Sequence, residues 1–130
     1  MAASPGIWKW ADRLGNAPAE GFRITLGEGG TPLVRSCRIG PAAGLTNLYF
    51  KIESANPTGS YKDRFATSAV SHMLSKQRTR CLATSSGNTG AALAAACAVA
   101  GVPCHLAIVE PAPEGKLKQM LAYGAKLRRI

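Results

Sequence analysis

Along this chain the repeat of apolar and polar positions changes period several times, and each change predicts an element. In "NLYFKIE", Leu48, Phe50 and Ile52 alternate with Tyr49, Lys51 and Glu53, a period of two that predicts a strand with one buried face. After the turn "SANPTGS", the spacing of Phe65, Ala69, Val70, Met73 and Leu74 predicts a helix with one buried stripe, starting near Tyr61 and ending near Gln77. Ser60-x-x-Asp63 has the form of a capping box at its start. There follow a strand at "RCLATSS", a tight turn at "GNTG", and an Ala-rich helix from Ala91 to Ala100 closed by Gly101. The pattern continues with a strand at "PCHLAIV", a helix at "EGKLKQMLAYG" capped by Gly124, and a last strand at "AKLRRI". The Ala-rich helix is apolar all round, as a helix packed between layers must be.

Strands alternating with helices imply a parallel sheet, so the expected fold class is α/β: an open parallel sheet with flanking helices in three layers. Residues 1–46, punctuated by Gly and Pro, read as a lead-in segment with a short strand at "FRITL" before the loop "GEGGTP". Residues 47–130 read as an α/β domain that is incomplete, because the pattern reaches Ile130 inside a strand. That suggests part of a longer protein, or a truncated copy.

Composition narrows the classes. With 46% hydrophobic and 18% charged residues the chain is globular, and at 130 residues it can bury a real core. The formal charge of +9 is spread out, without a basic run interleaved with aromatics, so no nucleic-acid partner is expected. The most apolar stretch, "TGAALAAACAVAGV", falls short of the roughly 20 residues that span a bilayer, so no membrane partner is expected either. "MAASPGIWKWADR" lacks the pattern of a secretory signal, which makes the cytoplasm the default location. Cys37, Cys81, Cys97 and Cys104 form no CxxC pair, and the last three sit in apolar segments, as reduced core cysteines would. His72 and His105 have no partner at ligand spacing, so no metal site is expected.

Two stretches fall at the C-terminal ends of strands, where open α/β sheets bind ligands. In "NPTGSYKDR", Lys62 stands at a helix start, where the positive end of the helix and nearby Arg64 both disfavour an ammonium and favour a neutral, nucleophilic amine. Such a lysine is a candidate for a Schiff base with a carbonyl substrate or pyridoxal phosphate, although a solvated surface lysine fits the same residues. In "SSGNTG", Ser85, Ser86, Asn88 and Thr89 surround the start of a helix whose N–H groups suit a carboxylate or phosphate; an ordinary Gly-rich turn is the even alternative. "GEGGTP" lacks the third glycine of the dinucleotide fingerprint, and no GxxxxGK[ST] occurs.

Taken together, "LGEGGTPL", "KIESANPTGSYKDR" and "ATSSGNTGAALAAACAVAG" resemble the pyridoxal-phosphate enzymes of the tryptophan synthase β-like fold (fold type II), and among them most closely the threonine synthases. The resemblance covers roughly residues 24–130. "NPTGSYKDR" looks like the threonine synthase form, with Tyr61 where phenylalanine is common. Cysteine synthases tend to carry "SVKDR", and serine or threonine dehydratases "GNHA".

The resemblance implies that Lys62 forms the internal aldimine and later moves protons on the substrate, and that Asn88 bonds the cofactor's 3'-oxygen. It further implies that Ser85, Ser86 and Thr89 hold the carboxylate of a small amino-acid substrate. The implied reaction converts O-phosphohomoserine and water to threonine and phosphate in an enzyme that is a homodimer when complete. Other fold type II activities, or a non-catalytic fragment, are the alternatives. The family's glycine-rich loop for the cofactor phosphate, and the Ser or Thr that meets the pyridine nitrogen, lie downstream of the residues present.

Overall fold

The computed structural model describes residues 6–109 and 111–130. Residues 1–5, at the head of the lead-in segment and of the stretch read as lacking a secretory signal, and residue 110 lie outside the described residues. Among the described residues five strands occur, β1 (Leu33–Arg35), β2 (Tyr49–Lys51), β3 (Cys81–Thr84), β4 (Cys104–Ile108) and β5 (Lys126–Arg129), with helices α1 (Ile39–Ala42), α2 (Lys62–Ser75), α3 (Asn88–Ala100) and α4 (Glu114–Ala122). Three 3-10 turns complete the order, at Gly6–Arg13, Glu20–Phe22 and Glu53–Ala55.

The centre of the molecule is a parallel sheet in the order β3-β4-β5, with Cys81 opposite Cys104 and Leu106 opposite Leu127. Along β4, Cys104, Leu106 and Ile108 point to the buried side and alternate with half-buried His105 and Ala107. On the buried side lies α3, whose run from Gly90 to Cys97 is wholly buried. Its alanines carry no bulk, so α2, α4 and the sheet all approach it closely and share one core with Val70, Leu106, Ile108 and Met120. Gly101 (φ 66°) and Gly124 (φ 82°) follow α3 and α4 as the sequence predicts.

Among the described residues, helices cover one face of this sheet. The other face, with Leu82, Thr84, His105, Ala107, Lys126 and Arg128, lines an open concavity of about 570 Å³. The open parallel sheet with flanking helices is as expected, and the second helical face of the three-layer plan is the part not seen here.

Four local expectations need correction. "FRITL" forms no strand, because its backbone is taken by side chains: Ile24 N–H donates to Ser71 Oγ (3.1 Å), and Ile24 C=O accepts from the Trp8 indole (2.5 Å). The strand expected in "NLYFKIE" is the short β2, which pairs antiparallel with β1 outside the parallel sheet. Its alternation buries no face, since all three of its residues are exposed on a two-stranded ribbon. The buried stripe of α2 is Asp63, Ala66, Thr67, Val70 and Ser71, with Phe65 left 52% exposed, because the alanine surface of α3 accepts small side chains at close range. Finally, "GNTG" is not a free turn: Asn88 already belongs to α3, with Gly87 preceding the helix.

Candidate active site

The lysine turn is built from the inside of a chain reversal. Gly59 N–H bonds Asn56 C=O (2.8 Å), and Gly59 holds φ at +84°, a left-handed conformation that a Cβ would strain. Fully buried Asp63, in the first turn of α2, accepts from Thr58 N–H (2.7 Å) and from the Thr58 hydroxyl. A carboxylate is favoured there by the helix dipole, and its bonds tie the turn to the helix it leads into. Only half of the predicted capping box is present: Ser60 Oγ accepts from Lys62 N–H (3.3 Å), while Asp63 turns to Thr58 instead of reaching back to Ser60. Lys62 is thereby fixed as the first residue of α2. Its Nζ lies 4.6 Å from the centre of the Tyr61 ring and has no acidic partner among the described residues.

Behind the turn, Glu53 gathers the motif blocks. Its carboxylate takes a two-pronged ion pair from Arg64, 2.7 Å to Nη2 and 2.9 Å to Nε. It also accepts from Thr31 Oγ1 (2.8 Å) and Asn56 Nδ2 (3.0 Å). Asn56 in turn accepts from Gly29 N–H (2.9 Å), so the loop "GEGGTP", the residues before the turn and the start of α2 form one network. The Arg64 hydrogen bonds, with those of Thr31 and Asn56, hold the Glu53 carboxyl down to about 2, and Glu53 reciprocally raises Arg64. Arg64 is therefore committed to Glu53, and is not the unpaired cation beside Lys62 that its sequence position suggested.

The asparagine loop closes on itself. Ser85 Oγ accepts from Gly90 N–H (2.9 Å) and Gly87 N–H (3.4 Å), and the Ser86 hydroxyl donates to Val109 C=O (2.6 Å). Asn88 is exposed and Thr89 half-buried, and neither side chain takes a hydrogen-bond partner among the described residues. The Asn88 and Thr89 N–H groups are the open donors at the start of α3.

Adjacent residues of α4 hold the two loops near each other. Gln119 Nε2 donates to Thr58 C=O in the lysine turn (3.1 Å). Next to it, Met120 packs on Gly90 so closely that a Cβ on Gly90 would meet Met120 Cε at 2.7 Å. Lys62 and the group Ser85, Ser86, Asn88 and Thr89 are thus brought to one end of the molecule. At the other end of the strands, Cys81, Cys97 and Cys104 come together, which their spacing in sequence did not announce.

The network of Glu53, Asn56, Thr31 and Gly29, and the anchoring of Asp63 on Thr58, were not read from the sequence. A signal was present: polar residues crowd a stretch containing Pro57 and Gly59, and a reversal there places residue 53 beside residue 64.

Residues 24–130 match the family described as pyridoxal-phosphate dependent enzyme. Among curated proteins, the chain is 41% identical over 129 residues to threonine synthase of Methanosarcina acetivorans, spanning 97% of this chain and 31% of that protein. It is 43% identical over 108 residues to threonine synthase of Mycobacterium leprae, spanning 82% of this chain and 30% of that protein. The chain thus spans about a third of the length of these relatives. Among solved structures, it resembles a pyridoxal 5'-phosphate-dependent aspartate racemase (TM-score 0.68, 36% identity, 76% of this chain and 32% of that one). It also resembles cysteine synthase of Entamoeba histolytica (TM-score 0.68, 31% identity, 78% of this chain and 32% of that one). With that family matching residues 24–130 and threonine synthases 41% and 43% identical over 97% and 82% of its length, this chain belongs to the pyridoxal-phosphate dependent enzyme family.

Proposed function

We propose that this chain is the lysine-bearing portion of a threonine synthase, which converts O-phosphohomoserine and water to threonine and phosphate. The observation that carries this reading is the 41% identity to a threonine synthase across 97% of the chain.

The residues present fit the cofactor. Lys62 offers an amine without a carboxylate partner, and Asn88 an amide without a hydrogen-bond partner among the described residues. In this reading Lys62 holds pyridoxal 5'-phosphate through Nζ, and Asn88 donates to its 3'-oxygen. When bound, the cofactor supplies an electron sink for the substrate's Cα–H bond. Lys62 Nζ then takes and returns protons at substrate Cα and Cβ, a role that needs an amine free of a neighbouring carboxylate.

The N–H groups of Asn88 and Thr89 and the Thr89 hydroxyl face the substrate carboxylate, helped by the positive end of α3. Ser85 still has its O–H to donate, because its oxygen is used as an acceptor. Ser86 must turn its hydroxyl from Val109 to join them. The same reading gives a small amino-acid substrate, a cytoplasmic setting, a homodimer in the complete enzyme and no nucleic-acid partner. No helix among the described residues is long and apolar enough to cross a membrane.

A second reading has its own support: the similar solved structures include racemases and a cysteine synthase, so another fold type II activity fits the fold equally. That class takes in serine or threonine dehydratase, diaminopropionate ammonia-lyase and cysteine synthase chemistry. A non-catalytic truncated fragment is the remaining alternative. Product analysis on the full native chain, offered O-phosphohomoserine, serine and diaminopropionate separately, distinguishes them. Threonine and phosphate from the first substrate only, abolished by Lys62→Ala, is the expected result; turnover of serine or diaminopropionate instead would replace this reading.

A further inference from the structure

The most concentrated chemistry outside that site is a group of three thiols. Cys81 opens β3, Cys104 opens β4 directly opposite it in the ladder, and Cys97 comes down from the last turns of α3. All three are at most 5% exposed, and their sulfurs lie within 4.8 Å of one another. We propose that Cys81, Cys97 and Cys104 form a binding site for one soft, thiophilic d10 cation, such as Cu(I), held by three sulfurs.

Geometry and surroundings set the class of ion. A metal–thiolate bond of about 2.3 Å places three sulfurs of a trigonal site about 4 Å apart, so less than an ångström of side-chain adjustment closes this group onto an ion. The three thiols belong to the apolar core that the alanines of α3 dominate, and among the described residues no imidazole or carboxylate joins them. Ions that require oxygen or nitrogen ligands are poorly served, whereas soft ions accept sulfur alone. Each thiol that becomes a thiolate releases one proton to solvent, and no electron is transferred.

Because the three sulfurs belong to β3, α3 and β4, a bound ion clamps those elements at the end away from Lys62 and Asn88. It therefore raises thermal stability, increasingly with the logarithm of free ion above its dissociation constant, without touching the proposed active site.

The test is a Cd(II) titration of the reduced full chain under anaerobic conditions, with Cys37→Ser as background to remove the exposed thiol. The expected result is an ultraviolet thiolate-to-cadmium band saturating at one ion per chain, a raised melting temperature, and three sulfur neighbours by X-ray absorption. Cys97→Ala, confirmed as folded by circular dichroism, should lose the band. If that variant fails to fold, the sulfur count in the Cys37→Ser protein decides. One or two sulfurs per cadmium, a band that survives Cys97→Ala, or no band while all the remaining thiols react with a thiol reagent after unfolding would each overturn the site.

Discussion

At the scale of single residues, Glu53 ties the start of α2 to the other motif blocks without touching Lys62. It holds Arg64 two residues along α2 and receives Thr31 and Asn56 from the other motif blocks. Its carboxyl is lowered from 4.5 to about 2, so an unfolded chain takes up its proton first as the medium is acidified. The Glu53 contribution is therefore fully present above pH 4.5 and is lost as pH falls toward 2. Acid unfolding followed by circular dichroism should show this loss, and Glu53→Gln should flatten that stretch of the curve. At neutral pH the same variant leaves the partly solvated Arg64 guanidinium without its carboxylate and should cost ~1 kcal/mol in urea unfolding. A Glu53→Gln protein with unchanged acid and urea curves would show the network to be idle.

At the scale of elements, the start of α3 packs closely against α4. A Cβ on Gly90 would lie 2.7 Å from Met120 Cε and 3.1 Å from Ser85 C=O. Gly90→Ala improves helix propensity by up to about 1 kcal/mol, while crowding a packed core costs ~1–3 kcal/mol, so a net loss of stability is expected. Met120→Ala should relieve the crowding, and a double-mutant cycle by urea unfolding should show coupling of about 1 kcal/mol. Additive costs would mean that the crowding is absorbed elsewhere.

Elements are also where sequence and structure can be compared most directly. The unit from β3 to β5 was legible because each piece carries a long period, a glycine after its helix, or both. The lysine and asparagine loops were legible as motifs. What escaped was decided by partners distant in sequence: Ile24 is kept out of a ladder by Ser71 and Trp8, and the α2 stripe is rotated by the small residues of α3. The hydrogen-bond network around Glu53 and the meeting of Cys81, Cys97 and Cys104 likewise depend on chain reversals that no local period encodes.

At the scale of the whole molecule, the uncovered sheet face is the dominant surface feature. Leu82, on the edge strand β3, is 72% exposed, and Leu33, Val34 and Ile39 add exposed apolar area on the ribbon and α1. A chain of residues 1–130 alone should therefore self-associate, since patches of this kind seek cover. Light scattering on a gel-filtration column should show oligomers or poor recovery, and a monodisperse, cooperatively melting monomer would contradict it.

The lead-in segment is attached in a different manner from everything after it. Ile7 N–H donates to buried Glu28 (2.9 Å), the Trp8 indole donates to Ile24, and a Cβ on Gly6 would collide with Glu28 Oε1. The segment is in turn docked on α2 by contacts distant in sequence, Ile24 N–H to Ser71 Oγ across 47 residues and Asn16 C=O to His72 Nε2 across 56, whereas neighbouring strands of the parallel sheet pair across 21 to 23. Assembly should then proceed in two kinetic stages, a fast one for the sheet and its helices and a slower docking of the first turn. Trp8 is 4% exposed and Trp10 is 48% exposed, so burial of Trp8 gives the second stage its own fluorescence signal. In stopped-flow refolding, Gly6→Ala should remove that late change and leave the early far-ultraviolet signal intact, making one indole a clock for the last step of assembly.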